Sequence, residues 1–402
     1  MRNKFISLSN WFVGNQRIIC IVFISFAVIR FLHLNYMNWE YGELCTGKGG
    51  IQYGYDAYRY IDGAEKLLTK ESLHETDRLY IGYILIIASV FKLHLGLEYV
   101  LIIQLLFAFL AAYAIFSFCK SITGNRTAGI FASGFLLINP FVVQWHLFIH
   151  TESVYSSLLI ISAWLIYKSY ASGTVKYILP ACFSAIFTLL IRPNGWLLIP
   201  VVLVFILIFT NLNWKLKTGI SLFPVILFFL VFDTSFFNKA EKVYKIAGLN
   251  KQGVIIWEHP EIRHNKYVPD EYVKKNNFRN ITYGLHKAYY SSSLVLKRIA
   301  AELLPVYRPW LSLKFILRFL LWMLPAYFFT VAGLFFLFKN KGFAFALIIL
   351  SSHLLFIGIT YADQEFRYLV YILPVFILLG TSGLYAVWKK LYDLFSYQNN
   401  AV

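Results

Sequence analysis

The sequence predicts an all-α polytopic membrane protein with about ten transmembrane helices, interfacial helices in a first outer loop, and a long outer loop near residues 234–314. Two observations carry this. Of 402 residues, 59% are hydrophobic and 14% charged, where soluble domains carry roughly 25% charged residues. Apolar runs recur from about residue 18 to about residue 388, so the membrane part is one unit and not an anchor on a soluble enzyme.

The first segment, MRNKFISLSNWFVGNQRIICIVFISFAVIRFLHL, reads as a retained span. Its apolar run exceeds the roughly 7–15 residues of a secretory signal core, and no small-residue cleavage site follows. Candidate spans fall roughly at 18–34, 99–119, 127–143, 153–169, 177–191, 196–211, 218–233, 316–338, 343–360 and 368–388. With the N-terminus inside, the short cytoplasmic loops hold Lys120 with Arg126, Lys168 with Lys176, Lys215 with Lys217, Lys339 with Lys341, and Lys389 with Lys390. The short outer loops keep chiefly Arg192 and Arg367. The positive-inside rule selects this orientation, with both termini cytoplasmic. It divides the chain into an N-terminal membrane module, 1–233, with its first outer loop at 35–98; an outer loop, 234–314; and C-terminal helices, 315–402.

The run YIGYILIIASVFK is about 13 residues, short for about 30 Å of hydrocarbon. It reads as a re-entrant or interfacial helix on the outer side. Just before it, Ala57, Tyr60, Ile61, Ala64, Leu67 and Leu68 follow the i, i+3, i+4, i+7 spacing of an amphipathic helix. Cys20, Cys45, Cys119 and Cys182 are scattered, so they indicate neither a disulfide framework nor a metal spacing.

Polar residues gather at the outer ends of the spans. Asp56 opens the amphipathic helix, as an N-cap or as a base facing a cavity. Glu152, in QWHLFIHTES, stands in the first turn of a helix, where the dipole favours an acid, or faces the same cavity. Arg192, in LLIRPNGWLLIP, turns a hairpin with short arms, and an arginine near membrane depth is costly unless paired or facing a polar cavity. The last outer loop, YADQEFRYLVYILP, adds Asp363, Glu365 and Arg367. Carboxylates and arginines around one outward-facing cavity suit a substrate with an anionic phosphate and a greasy tail. A carboxylate there can take the proton of an acceptor hydroxyl. No Walker-type loop, Gly-rich dinucleotide fingerprint or DxD pair occurs, so no nucleotide site is expected.

The order of YDAYRYIDGA, DRLYIGYILIIASVFKLHLG, Gln104, SITGNRTAGIFASGFLLINP, HTES and RPNG resembles the GT-C class of integral-membrane glycosyltransferases. The protein O-mannosyltransferase and aminoarabinose-transferase branch is the nearest in pattern. The likeness covers roughly residues 10–210 and the FRYLVYILP segment. It implies an inverting transferase that uses a polyprenyl-phosphate sugar donor on the outer face, with a lipid, glycan or protein acceptor. By motif position Asp56 is the general base and Glu152 the second acid, which orients the acceptor or the sugar. Arg192 and Arg367 are assigned to the donor phosphate, and Tyr55, Arg59, His150, Asn194 and Glu365 to substrate binding. Asp56 stands alone where family members often carry adjacent acids, and YIGY replaces a Pro-Pro pair. The sugar therefore stays open.

Residues 234–314 carry 14 Lys plus Arg against 6 Asp plus Glu, with interleaved Trp and Tyr. Such a surface suits sugar rings and anionic lipid or polysaccharide, or is a plain interfacial loop. A nucleic-acid partner is not expected, because the basic residues are inseparable from membrane-flanking segments. His146 and His150 stand at i, i+4 and would share a helical face beside Glu152, a spacing that admits a divalent metal but supplies no third and fourth ligand. No metal or cofactor is assigned. His259, His264 and His286 read as surface residues, and NIT at Asn280 is a glycosylation sequon. A polysaccharide polymerase or ligase would place its chemistry in the basic loop. A lipid-linked-sugar transporter or flippase would show paired repeats and mid-membrane charges.

Overall fold

A computed structural model describes residues 10–41, 55–74, 77–172, 175–204, 253–256, 259–263, 280–305, 310–360 and 366–397, with a few isolated positions besides. The described chain is dominated by helices: α1 Gln16–Tyr41, α2 Tyr55–Thr69, α3 Ile81–Lys92, α4 Glu98–Thr123, α5 Arg126–Ile138, α6 Pro140–Val143, α7 Thr151–Ser172, α8 Ile178–Ile191 and α9 Leu198–Val204. After them come a two-stranded antiparallel hairpin, β1 Val254–Ile256 and β2 His259–Arg263, and then α10 Asn280–Leu303, α11 Leu313–Leu337, α12 Lys341–Ile359 and α13 Arg367–Tyr397. The chain forms two compact units. One comprises Met1–Phe228, Trp322–Ile349 and Tyr371–Val402; the other comprises Phe229–Leu321 and Leu350–Val370.

Four described helices have the length and apolarity to cross a membrane: α4, α11, α12 and α13. The pair α5 and α6 with the 3-10 turn after it makes a fifth if one span can bend by 50°. The cause of the bend is local. Asn139 precedes Pro140 and is extended (ψ 119°), as the residue before a proline must be. Its buried side chain accepts from Phe141 N at 2.9 Å, and Pro140 takes the first helical position, where its missing N–H is harmless.

The other segments expected to span differ in kind. α7 is 22 residues long but carries six serines, and several of these are buried; Ser162 bonds Ser184 of α8 at 2.7 Å. α8 has only 14 residues. The segment expected at 196–211 is described to Val204, and that at 218–233 lies largely outside the described residues, as does most of 234–314.

In the first unit α4 packs on α5 and α7, α7 on α8, and α1 on α5. Gly124, in the left-handed conformation (φ 68°), ends α4. Asn125 then caps α5 by accepting from Ala128 N at 3.0 Å. The late helices join through small residues. A Cβ on Gly380 would lie 2.7 Å from the Ala326 carbonyl, and one on Gly383 would strike the Phe329 carbonyl, so α11 and α13 meet backbone to backbone. Asn340 donates to the Ile122 carbonyl at 2.9 Å, which brings the α11–α12 turn to the α4–α5 turn. Lys120, Arg126 and Lys341 therefore lie at one end of this unit.

α3 is 12 residues, about 18 Å at 1.5 Å per residue, too short to cross alone. It lies between α2 and α8, and a Cβ on Gly82 would sit 2.9 Å from the Leu190 backbone. Ala57, Tyr60 and Ala64 of α2 are fully buried with Tyr83, Ile84 and Ile87 of α3 in the same core, as the apolar spacing of α2 predicts.

The second unit is organised by buried charge. Arg298 of α10 is 1% exposed. It donates from Nε and Nη2 to the Val254 carbonyl (2.9 and 2.7 Å) and from Nη1 to the Gly358 and Ile359 carbonyls (3.3 and 3.0 Å). One guanidinium thus ties β1 to the carbonyl end of α12, whose last acceptors need partners. Glu302 accepts from Leu369 N at 2.7 Å, an acid at the start of α13, where the dipole favours it. Arg308 stands 3.8 Å from Glu302, donates to the Ala301 and Leu304 carbonyls, and lies over the Phe366 ring.

Candidate functional site

The opening turn of α2 carries the first cluster. Asp56 Oδ1 lies 3.5 Å from Arg59 Nη1, both side chains being 33% exposed. Arg59 also reaches inward, its Nε 3.4 Å from the nearly buried carboxylate of Asp77. Asp77 opens the 3-10 turn that leads into α3. The guanidinium lies over the rings of Tyr80 (4.6 Å) and Tyr60 (5.2 Å). Burial, followed by the neighbouring Tyr80, pushes the Tyr60 hydroxyl well above its ordinary range, so Tyr60 stays neutral and keeps its proton to donate.

A second cluster forms where α7 begins. Glu152 is fully buried in the first turn of that helix. Its Oε1 accepts from Arg192 Nη1 at 2.9 Å and from the Tyr371 hydroxyl at 3.2 Å, and its Oε2 accepts from Thr151 at 3.3 Å. Arg192 Nη1 also donates to Thr151 Oγ1 at 2.8 Å, and the guanidinium lies 4.6 Å from the Tyr371 ring centre.

The RPNG sequence places Arg192. Arg192 ends α8 in an extended conformation (φ −155°, ψ 139°), Pro193 starts a 3-10 turn, and Gly195 N bonds the Arg192 carbonyl at 2.9 Å. A Cβ on Gly195 would lie 2.5 Å from Leu189 N, so the turn folds back onto α8 only with glycine there.

Between the clusters runs the loop that ends at His150. The sequence expectation that His146 and His150 share a helical face is corrected here. The 3-10 turn Gln144–Leu147 stops at Phe148, which is extended (φ −94°, ψ 140°). Fully buried Gln104 enforces the break: its Nε2 donates to the His146 carbonyl at 3.1 Å and the Phe148 carbonyl at 3.0 Å, and its Oε1 accepts from Tyr83 at 2.7 Å. His146 turns toward Ser153, while His150 faces Glu152. Among the described residues no three His, Cys, Asp or Glu side chains converge to hold a metal.

His150 joins the two clusters. Its ring meets Tyr60 edge to face at 6.3 Å, with Trp145 at 5.9 Å and Phe148 at 6.0 Å. Its Nδ1 lies 3.3 Å from Glu152 Oε2, close enough for an ion pair when protonated but without hydrogen-bond alignment. Among the described residues, His150 Nδ1, Tyr60 Oη and Trp145 Nε1 are buried and make no hydrogen bond. Buried polar groups in folded proteins are nearly always satisfied, by protein, water or ligand. Tyr and Trp are donors here, so this pocket of aromatic edges asks for acceptor oxygens.

The structure thus brings Asp56, Arg59, His150, Glu152 and Arg192 to one end of the first unit. Asn194 is half-buried in the RPNG turn. Tyr55 opens α2, and its side chain is outside the described residues, as are Asp363 and Glu365. Arg367 begins α13, half-buried, in the second unit. Sequence reasoning gave no place in the site to Tyr60, Asp77, Tyr83 or Tyr371, although repeated tyrosines near acids and arginines in an apolar chain were the available signal. No protein-family model matches the chain, and no curated protein matches it significantly.

Proposed function

We propose that the chain is a GT-C-like glycosyltransferase of about ten spans that moves a sugar from a polyprenyl-phosphate donor to an acceptor hydroxyl on the outer side of the membrane. The observation that carries this reading is the joined cluster itself. A partly exposed acid, Asp56, stands one helical turn from Arg59, and both adjoin a buried Glu152–Arg192 pair across the unsatisfied polar atoms of Tyr60, His150 and Trp145.

In the step proposed, the acceptor oxygen attacks the anomeric carbon while Asp56 takes the hydroxyl proton. The bond from that carbon to the phosphate oxygen breaks, and its electron pair leaves with the polyprenyl phosphate. Configuration inverts. Arg192 is assigned to the phosphate, with Arg59 adding a second cation and the unsatisfied donors of Tyr60 and Trp145 adding hydrogen bonds. Glu152 orients the bound groups, and its charge is balanced by Arg192 in the resting protein. An outward-facing cluster is supported by the positive-inside rule, since Lys120, Arg126 and Lys341 lie at the other end of the unit.

Transfer from a panel of radiolabelled polyprenyl-phosphate sugars, in membranes expressing the wild type and Asp56→Asn, tests the reading. Label transfer by the wild type, lost in a folded Asp56→Asn, supports it and identifies the sugar. Full activity in Asp56→Asn reduces Asp56 to a helix cap. Glycan polymerisation without transfer from any donor would replace the reading with a polymerase.

A further inference from the structure

At the opposite end of the first unit from the acidic cluster, a cleft of about 570 Å³ opens between the start of the chain, α5 and the end of α13. That volume lies within the roughly 300–1,000 Å³ typical of ligand sites. Its walls are of two kinds. Phe12, Phe131 and Leu384 supply hydrocarbon, while Asn10, Asn125 and Lys389 stand at the polar margin. Trp388, Tyr385 and Tyr392 line it too, the residue types that settle at the boundary between hydrocarbon and head groups.

The walls are pinned. Gln16 donates to Thr127 at 2.9 Å, which holds α1 to α5, and Asn125 is fixed as the cap of α5. Charge around the margin is one-sided. Arg17, Arg126 and Lys390 are exposed, each next in sequence to a residue that lines the cleft or pins its wall, and Lys389 is exposed in the cleft itself. Against these four cations stands, among the described lining residues, one acid, Asp393.

We infer that this cleft binds an anionic glycerophospholipid of the surrounding bilayer, one acyl chain lying on Phe12, Phe131 and Leu384 and the phosphodiester meeting Lys389. An acyl chain needs a dry slot open to the membrane, and an anionic head group needs cations at its rim. A basic margin near an anionic leaflet gains about 1 kcal/mol per lysine or arginine, or roughly fivefold in affinity. The site is separate from the proposed donor site, which lies at the other end of the unit.

The test is native mass spectrometry of the full-length protein in detergent, titrated with phosphatidylglycerol, phosphatidylethanolamine or polyprenyl phosphate. Wild type, Lys389→Glu and Leu384→Trp are compared, and each is checked for monodispersity. The expected result is one phosphatidylglycerol held several-fold tighter than phosphatidylethanolamine, weakened about fivefold or more by Lys389→Glu. Leu384→Trp fills the slot from an exposed position and removes retention. Equal retention of both phospholipids in all three proteins overturns the inference, leaving ordinary boundary lipid. Preference for polyprenyl phosphate at this cleft also overturns it and assigns the slot to the carrier.

Discussion

The two units each bury arginine beside glutamate, and they use the pairing differently. In the second unit, among the described residues, Arg298 and Arg308 donate to main-chain carbonyls, Arg308 also stands 3.8 Å from Glu302, and Glu302 takes the N–H of Leu369. Those side chains stitch helix ends and a hairpin together. In the first unit Arg192 and Glu152 meet each other and the side chains of Thr151 and Tyr371, beside polar atoms that have no partner. A buried arginine in an apolar chain is therefore no mark of a site by itself. Partners distinguish the cases: main-chain carbonyls indicate scaffolding, and side chains next to unsatisfied donors indicate a place for a ligand.

The sharpest way to break this comparison is Asp56→Asn. Loss of a general base is expected to lower transfer about 10²- to 10⁴-fold while leaving unfolding in detergent unchanged, because Asp56 is one-third exposed. Activity near wild type would dissolve the contrast between the units. Next in size is Arg192→Ala, which strands a buried carboxylate. Breaking such a pair costs about 3–5 kcal/mol, read as a lowered midpoint of denaturant unfolding.

The double variant Glu152→Gln with Arg192→Met should regain much of that stability and none of the activity. Recovery of both would make the pair mere scaffold, like Glu302 and Arg308. Tyr371→Phe removes one hydrogen bond to a charged group, about 1.5–3 kcal/mol, and turnover should fall with it. Gly195→Ala forces the RPNG turn off α8 at about 1–3 kcal/mol for overpacking. Its activity should fall by more than its stability does, since Arg192 moves with the turn; equal losses would argue that Arg192 serves only the fold.

Much of the fold was legible because periodicity and length are local. The apolar face of α2 over Ala57, Tyr60 and Ala64, the short α3, and the long α4, α11, α12 and α13 all follow from spacing that a sequence displays. Arg192 stood out in the sequence as a costly charge near membrane depth, and Asp56 and Glu152 as acids at helix starts; the structure brings the three to one end of the first unit. What stayed hidden depends on distant pairing. Nothing near His150 says that the helix breaks at Phe148, because the break is held by Gln104, over 40 residues earlier. Nor does the sequence around Glu152 announce Tyr371, 219 residues away. The i, i+4 spacing of His146 and His150 misled for the same reason: it assumed a continuous helix that a remote side chain interrupts.

Those separations bear on how the protein is made. Chains emerge from the ribosome N-terminus first, so Tyr83 can engage Gln104 soon after α4 appears, and the His150 loop can dock as soon as it follows. Glu152 must wait for Arg192, and then for almost the whole remaining chain before Tyr371 arrives. Until α13 has been inserted, the acid at the heart of the first unit lacks one of its hydrogen bonds. Assembly of the cluster is thus tied to completion of synthesis, and a nascent chain released before residue 371 would carry the early helices without a finished centre.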